Sequence, residues 1–295
     1  MSGHKDEGLK QELEHFYSTS RTYMERLRKH DKRSFAEYIA LCRRVIPEGS
    51  TVLDCGCGVG LSSYLLAQDG FEVTATDISP LFISEAKKIY GDEPQVTYSV
   101  EDVCDMSFPD ASFDTACSFD LIEHVFDVHR ALREMCRVAK GEVLIFQANH
   151  LDFIRHLEKA LHWEPKNRYK PWEGRSRTRC IYRFLRNGLV TLAKAIGINH
   201  KIYYVEPVLC DDEDACGEDF DATWLTNRYD IENVLKKNGF SVVDRFYLEF
   251  EDGVIRRLKR LGLNGKTSSY YMKMRAACII YGRRDKNTRE QRASG

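Results

Sequence analysis

From Thr51 onward, short apolar runs alternate with longer amphipathic stretches. Strands are predicted at "TVLDC" (51–55), "FEVTAT" (71–76), "QVTYSV" (95–100), "DTACSF" (114–119) and "EVLIFQA" (142–148). Between them, "LSSYLLAQDG", "PLFISEAKKIYG" and "DVHRALREMCRVAKG" have helical spacing, and several end on glycine. Strand runs that are apolar throughout, separated by helices, imply a parallel sheet covered on both faces. Leu9 to Leu41 has apolar positions at helical spacing and much surface charge, so it is expected to be helical.

The beat stops near His150. Residues 151–223 show no strand–helix alternation, and their charge is segregated. Leu151 to His200 carries eleven Lys/Arg against four Asp/Glu, whereas Lys201 to Leu225 carries one Lys against eight acids. The beat resumes with "RYDIENVLKKNGF" as a helix and "SVVDRFYLEF" and "SYYMKMRAACIIYGRR" as strands. The expected organisation is an N-terminal helical segment (1–50), a core (51–150), an insertion (151–223), the rest of the core (224–284) and a polar, disordered tail (285–295).

Composition narrows the class. The chain has 295 residues, 43% of them hydrophobic and 30% charged, which suits a globular protein with a substantial core. A net charge of -1 gives no global basicity that would argue for nucleic acid. Ten cysteines without a secretory signal or an apolar run of membrane-spanning length lead to an expectation of reduced thiols and a cytoplasmic location. No CxxC pair is present, so neither a zinc ribbon nor a redox motif is expected.

Candidate chemistry starts at "VLDCGCGVGLSS", Val52 to Ser63. A glycine-rich loop between a strand and a helix lets a polar or anionic ligand approach the main chain. A dinucleotide fingerprint needs G-x-G-x-x-G. Here Gly56, Gly58 and Gly60 give G-x-G-x-G, and Leu61 stands where the third glycine would fall. Asp54, two residues before the first glycine, suits a ligand bearing an ammonium group better than a pyrophosphate. Asp77 ends the second strand, where it can accept both hydroxyls of a ribose. Asp102 follows the third strand and can accept from an exocyclic amine, with Val103 as an apolar wall. Singly, each acid could equally be a cap or turn residue.

Taken in order, "VLDCGCGVG", "TATDIS", "VEDVCDMSFPDASFD" and "FDLIEHVFDVHRALREMCRVAK" resemble the successive motifs of class I S-adenosylmethionine-dependent methyltransferases. The small-molecule branch that includes ubiquinone-type O-methyltransferases is the most similar. The resemblance runs from about Thr51 to Asn149 and, more weakly, from Trp224 to Arg284. It implies an α/β, Rossmann-like doubly wound sheet of about seven mostly parallel strands, with a helical or loop insertion after the fifth. It also implies S-adenosyl-L-methionine as cofactor and S-adenosyl-L-homocysteine as product. By resemblance Asp54, Gly56 and Gly58 would hold the methionine portion, and Asp77 the ribose. Ile78 would pack on the adenine, Asp102 would meet its amine beside Val103, and Phe119 would contact the methionine end. The family's glycine-rich turn after the fourth helix is reduced here to "AKGEV".

A sulfonium methyl is already activated, so the protein's tasks are to align a nucleophile and exclude water. A hydroxyl acceptor also benefits from a general base. His124 in "LIEHV" and His150 past the fifth strand are the candidates; Glu123 reads rather as a helix-start carboxylate. The insertion is expected to form a lid over a small acceptor, free or lipid- or sugar-linked. "HWEPKNRYKPWEGRSRTRCIYRFLR" interleaves Trp163, Tyr169 and Trp172 with eight Lys/Arg from Lys166 to Arg186, a mixture suited to phosphate or a membrane surface. The acidic run "CDDEDACGEDFDAT" lacks the order of a calcium loop, and no metal is expected. No DNA partner is expected either. The competing readings are an NAD-dependent oxidoreductase, disfavoured by Leu61 and Asp54, and a non-catalytic cofactor-binding module.

Overall fold

The computed structural model describes residues 3–29, 32–147, 177–204, 223–247 and 278–285, with single positions at 157, 207 and 209. Its strands are β1 (Thr51–Cys55), β2 (Glu72–Asp77), β3 (Val96–Val100), β4 (Phe113–Ser118), β5 (Ala139–Gln147), β6 (Tyr203–Tyr204), β7 (Trp224–Leu225), β8 (Phe240–Tyr247) and β9 (Cys278–Arg284). Seven of them form one sheet in the order β3-β2-β1-β4-β5-β9-β8, and β6 pairs with β7 as a separate ribbon. The first five sheet strands are parallel, whereas β9 runs antiparallel to both β5 and β8. This is the doubly wound, mostly parallel sheet that the alternation implies. The strand order reverses between β1 and β4, so the loops after these two strands open a crevice at the carboxyl edge.

The described helices are α1 (Gly3–Thr19), α2 (Arg21–Arg28), α3 (Lys32–Val45), α4 (Leu61–Gln68), α5 (Pro80–Tyr90), α6 (Val128–Val138), α7 (Arg177–Ala195) and α8 (Arg228–Lys237). Two buried layers sandwich the sheet. Leu53 and Cys55 of β1 and Val143 and Ile145 of β5 face Leu132 and Met135 of α6 and Ile231 of α8. Val52 and Leu144 face the other way, toward Tyr38 and Cys42 of α3 and Leu66 of α4. The period-2 alternation of each strand sorts its side chains between these layers.

The structure sharpens three sequence expectations. The helical stretch 9–41 is divided at Ser20, whose hydroxyl accepts from the Tyr23 N–H at 3.1 Å to cap α2. The helix expected over 127–141 stops at Val138, and Ala139 to Gly141 already belong to β5. No glycine turn is needed there, because Arg284 of β9 reaches over to donate to the carbonyls of Cys136, Ala139 and Lys140. A guanidinium thus satisfies carbonyls that a helix end leaves open. Finally, the insertion, expected to be helical or loop, contains the helix α7 among its described residues. Most of the insertion, including Trp163, Tyr169, Trp172 and the acidic run, lies outside the described residues. So do His150 and the tail beyond Asp285.

Candidate functional site

The glycine loop joins β1 to α4 in a shape that side chains would block. The Gly56 and Cys57 N–H groups both donate to the Thr76 carbonyl, at 2.8 and 2.9 Å, which folds the loop over the end of β2. Gly56 has φ +72°, and a Cβ there would stand 2.6 Å from Leu121 Cδ1. Gly60 has φ +88° and opens α4 with no side-chain cap. Cys55 and Cys57 are buried, and burial pushes both thiols up, away from the thiolate form that nucleophiles and metal ligands require. Their main chain, not their sulfur, shapes this loop.

Asp54 behaves differently from the reading that gave it an ammonium ligand. Alternation along β1 turns it into the α3–α4 layer, and it does not line the cavity. Its Oδ2 accepts from the Ser62 and Ser63 hydroxyls at 2.7 and 2.6 Å. Burial raises its pKa and the two serine bonds oppose that rise. Asp54 therefore anchors the first turn of α4 to β1 and acts on any ligand through the loop.

A single cavity runs along the carboxyl edge. Gly56, Gly58, Asp77, Ile78, Asp102, Val103, Phe119 and His124 all line it. Asp77 is fixed from both sides: Oδ2 accepts from the Gly58 N–H at 3.0 Å and Oδ1 from the Ser79 N–H at 2.9 Å. Burial nevertheless pushes its carboxyl up to about 6, against the pull of those amides. Asp102 accepts from the Cys104 N–H at 2.8 Å and from Lys10 Nζ at 2.5 Å. Burial works against the charge on Lys10, but its bond to Asp102 prevails and raises its pKa.

Lys10 belongs to a part of the wall that the sequence did not reveal. Lys10, Leu13 and Tyr17 of α1, Tyr23 and Leu27 of α2, and Phe35 of α3 line the cavity together with the glycine loop. Leu9, Leu13, Phe16 and Tyr17 are buried at helical spacing and pack against Val59 and Phe82. The Ser79 hydroxyl donates to the Tyr17 carbonyl at 2.7 Å, which pins the end of α1 to the start of α5. The spacing was visible in the sequence; which surface it covers was not.

Phe119, also on the cavity, lies between Phe35, Tyr38 and Phe146, with ring centroids 5.0, 5.0 and 4.6 Å away. Asp120 follows at φ +57°, a conformation unusual outside glycine, and begins the turn that carries His124. Thr223 and Trp224 hold this turn: Thr223 donates to the Glu123 and Val125 carbonyls, and Trp224 Nε1 donates to Val125 at 2.8 Å. Glu123 is buried, whereas His124 reaches the cavity. Asp120, Glu123 and His124 bring ligand atoms within 4.8 Å of one another, the described group that could surround a cation. The expectation of no metal did not anticipate that geometry.

The comparisons with known proteins agree with this arrangement. The model of a methyltransferase domain matches residues 53–147. A ubiquinone biosynthesis O-methyltransferase of Xylella fastidiosa is 30% identical over 181 residues, 48% of this chain and 72% of that protein. The chain belongs to the S-adenosylmethionine-dependent methyltransferases. A 2-methyl-6-phytyl-1,4-hydroquinone methyltransferase of Synechocystis is 40% identical over 102 residues, 34% of this chain and 32% of that protein. The matches span between 32% and 42% of the first relatives' own lengths. Magnesium protoporphyrin IX methyltransferase of Synechocystis, solved with S-adenosylhomocysteine bound, shares the fold at a TM-score of 0.53 and 16% identity, covering 94% of this chain and all of that one. The cavity fits the methyltransferase cofactor: a glycine loop at positive φ leaves the main chain bare, with the Asp77 and Asp102 carboxylates lining the same cavity.

Proposed function

We propose that this methyltransferase moves a methyl group to a hydroxyl oxygen of a lipid-linked small molecule. The observation that carries the reading is one cavity lined by Asp77, Asp102 and His124 together. By family resemblance, Asp77 would accept the ribose hydroxyls, Asp102 the adenine amine, and the loop at Gly56 and Gly58 would receive the methionine portion. Bound there, S-adenosylmethionine supplies a methyl already activated on sulfur. Ile78 and Val103 offer apolar walls to the base. Phe35, Phe119, Tyr23 and Leu27 form an apolar and aromatic wall that excludes water from the transfer.

His124 takes the acceptor hydroxyl's proton as its oxygen becomes the nucleophile. The turn that carries it is held at Glu123 and Val125, so the imidazole's backbone is fixed before an acceptor arrives. The names of the ubiquinone and phytyl-hydroquinone relatives support a prenylated phenol as acceptor. The test is His124→Gln, with S-adenosylhomocysteine affinity and turnover on a prenylated catechol measured separately. Affinity should stay within about twofold, while turnover should fall by about 10²–10⁴. Unchanged turnover would remove the base, and transfer to amines alone would remove the oxygen acceptor.

A further inference from the structure

Helix α7 is amphipathic the wrong way round for a helix that only covers a core. Its buried residues are Cys180, Asn187 and Lys194, a narrow and mostly polar seam. Lys194 is paired there with Asp230 of α8 and donates to the Lys201 carbonyl at 2.7 Å. Its large aliphatic side chains face outward. Ile181, Leu185, Leu189 and Leu192 recur every three or four residues and form one stripe, with Tyr182 beside it and Ile196 continuing it just past the helix. Leu189 is 68% exposed, and Ile198, just past the helix, is 76% exposed.

Charge decides what such a stripe fits. From Gly174 to Val205 the chain contains no Asp or Glu, while Arg175, Arg177, Arg179, Arg183, Arg186 and Lys201 fall in the same stretch beside the already paired Lys194. Arg186 is exposed on the helix itself. A second copy of this face would bring like charges together around the apolar contact. Nucleic acid would use the cations but leave the aliphatic stripe in water. An anionic lipid surface satisfies both: acyl chains receive the stripe and headgroups receive the arginines.

We propose that α7 is a membrane-surface helix that seats this protein on anionic lipid, with the stripe from Ile181 to Ile196 facing the bilayer. Among the described residues no helix is long and apolar enough to cross a membrane, so the contact is peripheral. The helix is coupled to the cavity. It leads through Lys201 into β6, where the Tyr204 ring meets Trp224 of β7, and Trp224 is bonded to the turn that bears His124. Docking α7 therefore places the acceptor end of the cavity beside the lipid phase.

The experiment is sedimentation of the full chain with vesicles of phosphatidylcholine alone or mixed with phosphatidylglycerol. It is run for the native protein, Leu185→Ser/Leu189→Ser and Arg186→Glu, each with its melting temperature. All three positions are exposed, so the variants should melt with the native protein. Binding should require phosphatidylglycerol. The double variant should lower the bound fraction at least about tenfold, and Arg186→Glu should lower it less. Three results would overturn the proposal: no binding by the native protein, binding that salt abolishes but the leucine changes leave intact, or a dimer in solution that the leucine changes dissociate. Vesicle binding and methyl transfer are read independently, so the failure of one leaves the other standing.

Discussion

Replacing Asp77 with Asn separates ligand recognition from stability at a single atom. In the free protein the Asp77 carboxyl is pushed from its ordinary value of 3.8 to about 6. The unfolded chain ionises near pH 4 while the folded chain keeps its proton until about pH 6. Between those values the folded state binds more protons, so stability falls as pH rises, and the loss is complete above about pH 6. A shift of that size corresponds to about 3 kcal/mol, an upper bound for a side chain that still meets cavity water. Asn removes that penalty but offers one oxygen to the two amides that Asp77 now serves, the Gly58 and Ser79 N–H groups. Leaving one of them unmatched costs about 1–3 kcal/mol. The opposing changes nearly cancel, so the melting temperature at pH 7.5 should barely move. Binding should not be spared. Two ribose hydroxyls lose a charged acceptor, and one lost charge-assisted bond of about 1.5–3 kcal/mol weakens S-adenosylhomocysteine by about 10- to 150-fold. Calorimetric titration across pH 5 to 8 reads both effects. Native affinity should be flat above pH 7 and decline below about pH 6 as Asp77 takes its proton; the Asn variant should lose that dependence. Equal affinities, or the same pH profile in both proteins, would refute the assignment of Asp77 to the ribose.

Gly56→Ala places a Cβ at φ +72° and 2.6 Å from Leu121 Cδ1. The left-handed backbone alone costs about 1–2 kcal/mol, so the melting temperature should drop by several degrees and S-adenosylhomocysteine affinity with it. Adding Leu121→Ala relieves the clash but not the backbone strain, so it should restore only part of the loss; full restoration would contradict the strain. Lys194→Met leaves Asp230 buried without its cation, which should cost about 3–5 kcal/mol in a denaturant melt. Asp230 is already pushed up to about 6 by burial despite the lysine. Removing the lysine raises it further, so this variant should be least impaired near pH 5, where the carboxyl keeps its proton. Lys194→Met/Asp230→Leu should recover most of the loss, and a double variant as unstable as the single would show that the pair is not the cause.

The sheet was legible because short β-rich runs alternate with longer stretches of helical spacing, which is the beat of a parallel sheet. The cofactor edge was legible for a related reason. Gly56, Gly58, Asp77 and Asp102 each sit at the end of a strand or within three residues of it, and a doubly wound sheet brings those ends to one edge. The partners of Asp54 within the fold, the Ser62 and Ser63 hydroxyls, were not legible, because they depend on which face of β1 it occupies and on the packing of α4. Lys10 and the aromatic wall from α1 to α3 were invisible for a different reason. Helical spacing tells that a face is buried but not which surface it covers. Arg284 is the same lesson at longer range: it replaces a glycine turn from a strand more than a hundred residues away, and no local pattern announces it.

The central claim is that the cavity at the carboxyl edge is a site for a sulfonium nucleoside and not for a dinucleotide. Titrating the full chain with S-adenosylhomocysteine and, separately, with NAD tests it directly. The geometry predicts one-to-one binding of S-adenosylhomocysteine, weakened by Asp77→Asn and by Gly56→Ala, and no heat with NAD. Saturable NAD binding, or S-adenosylhomocysteine binding that neither substitution weakens, would contradict it.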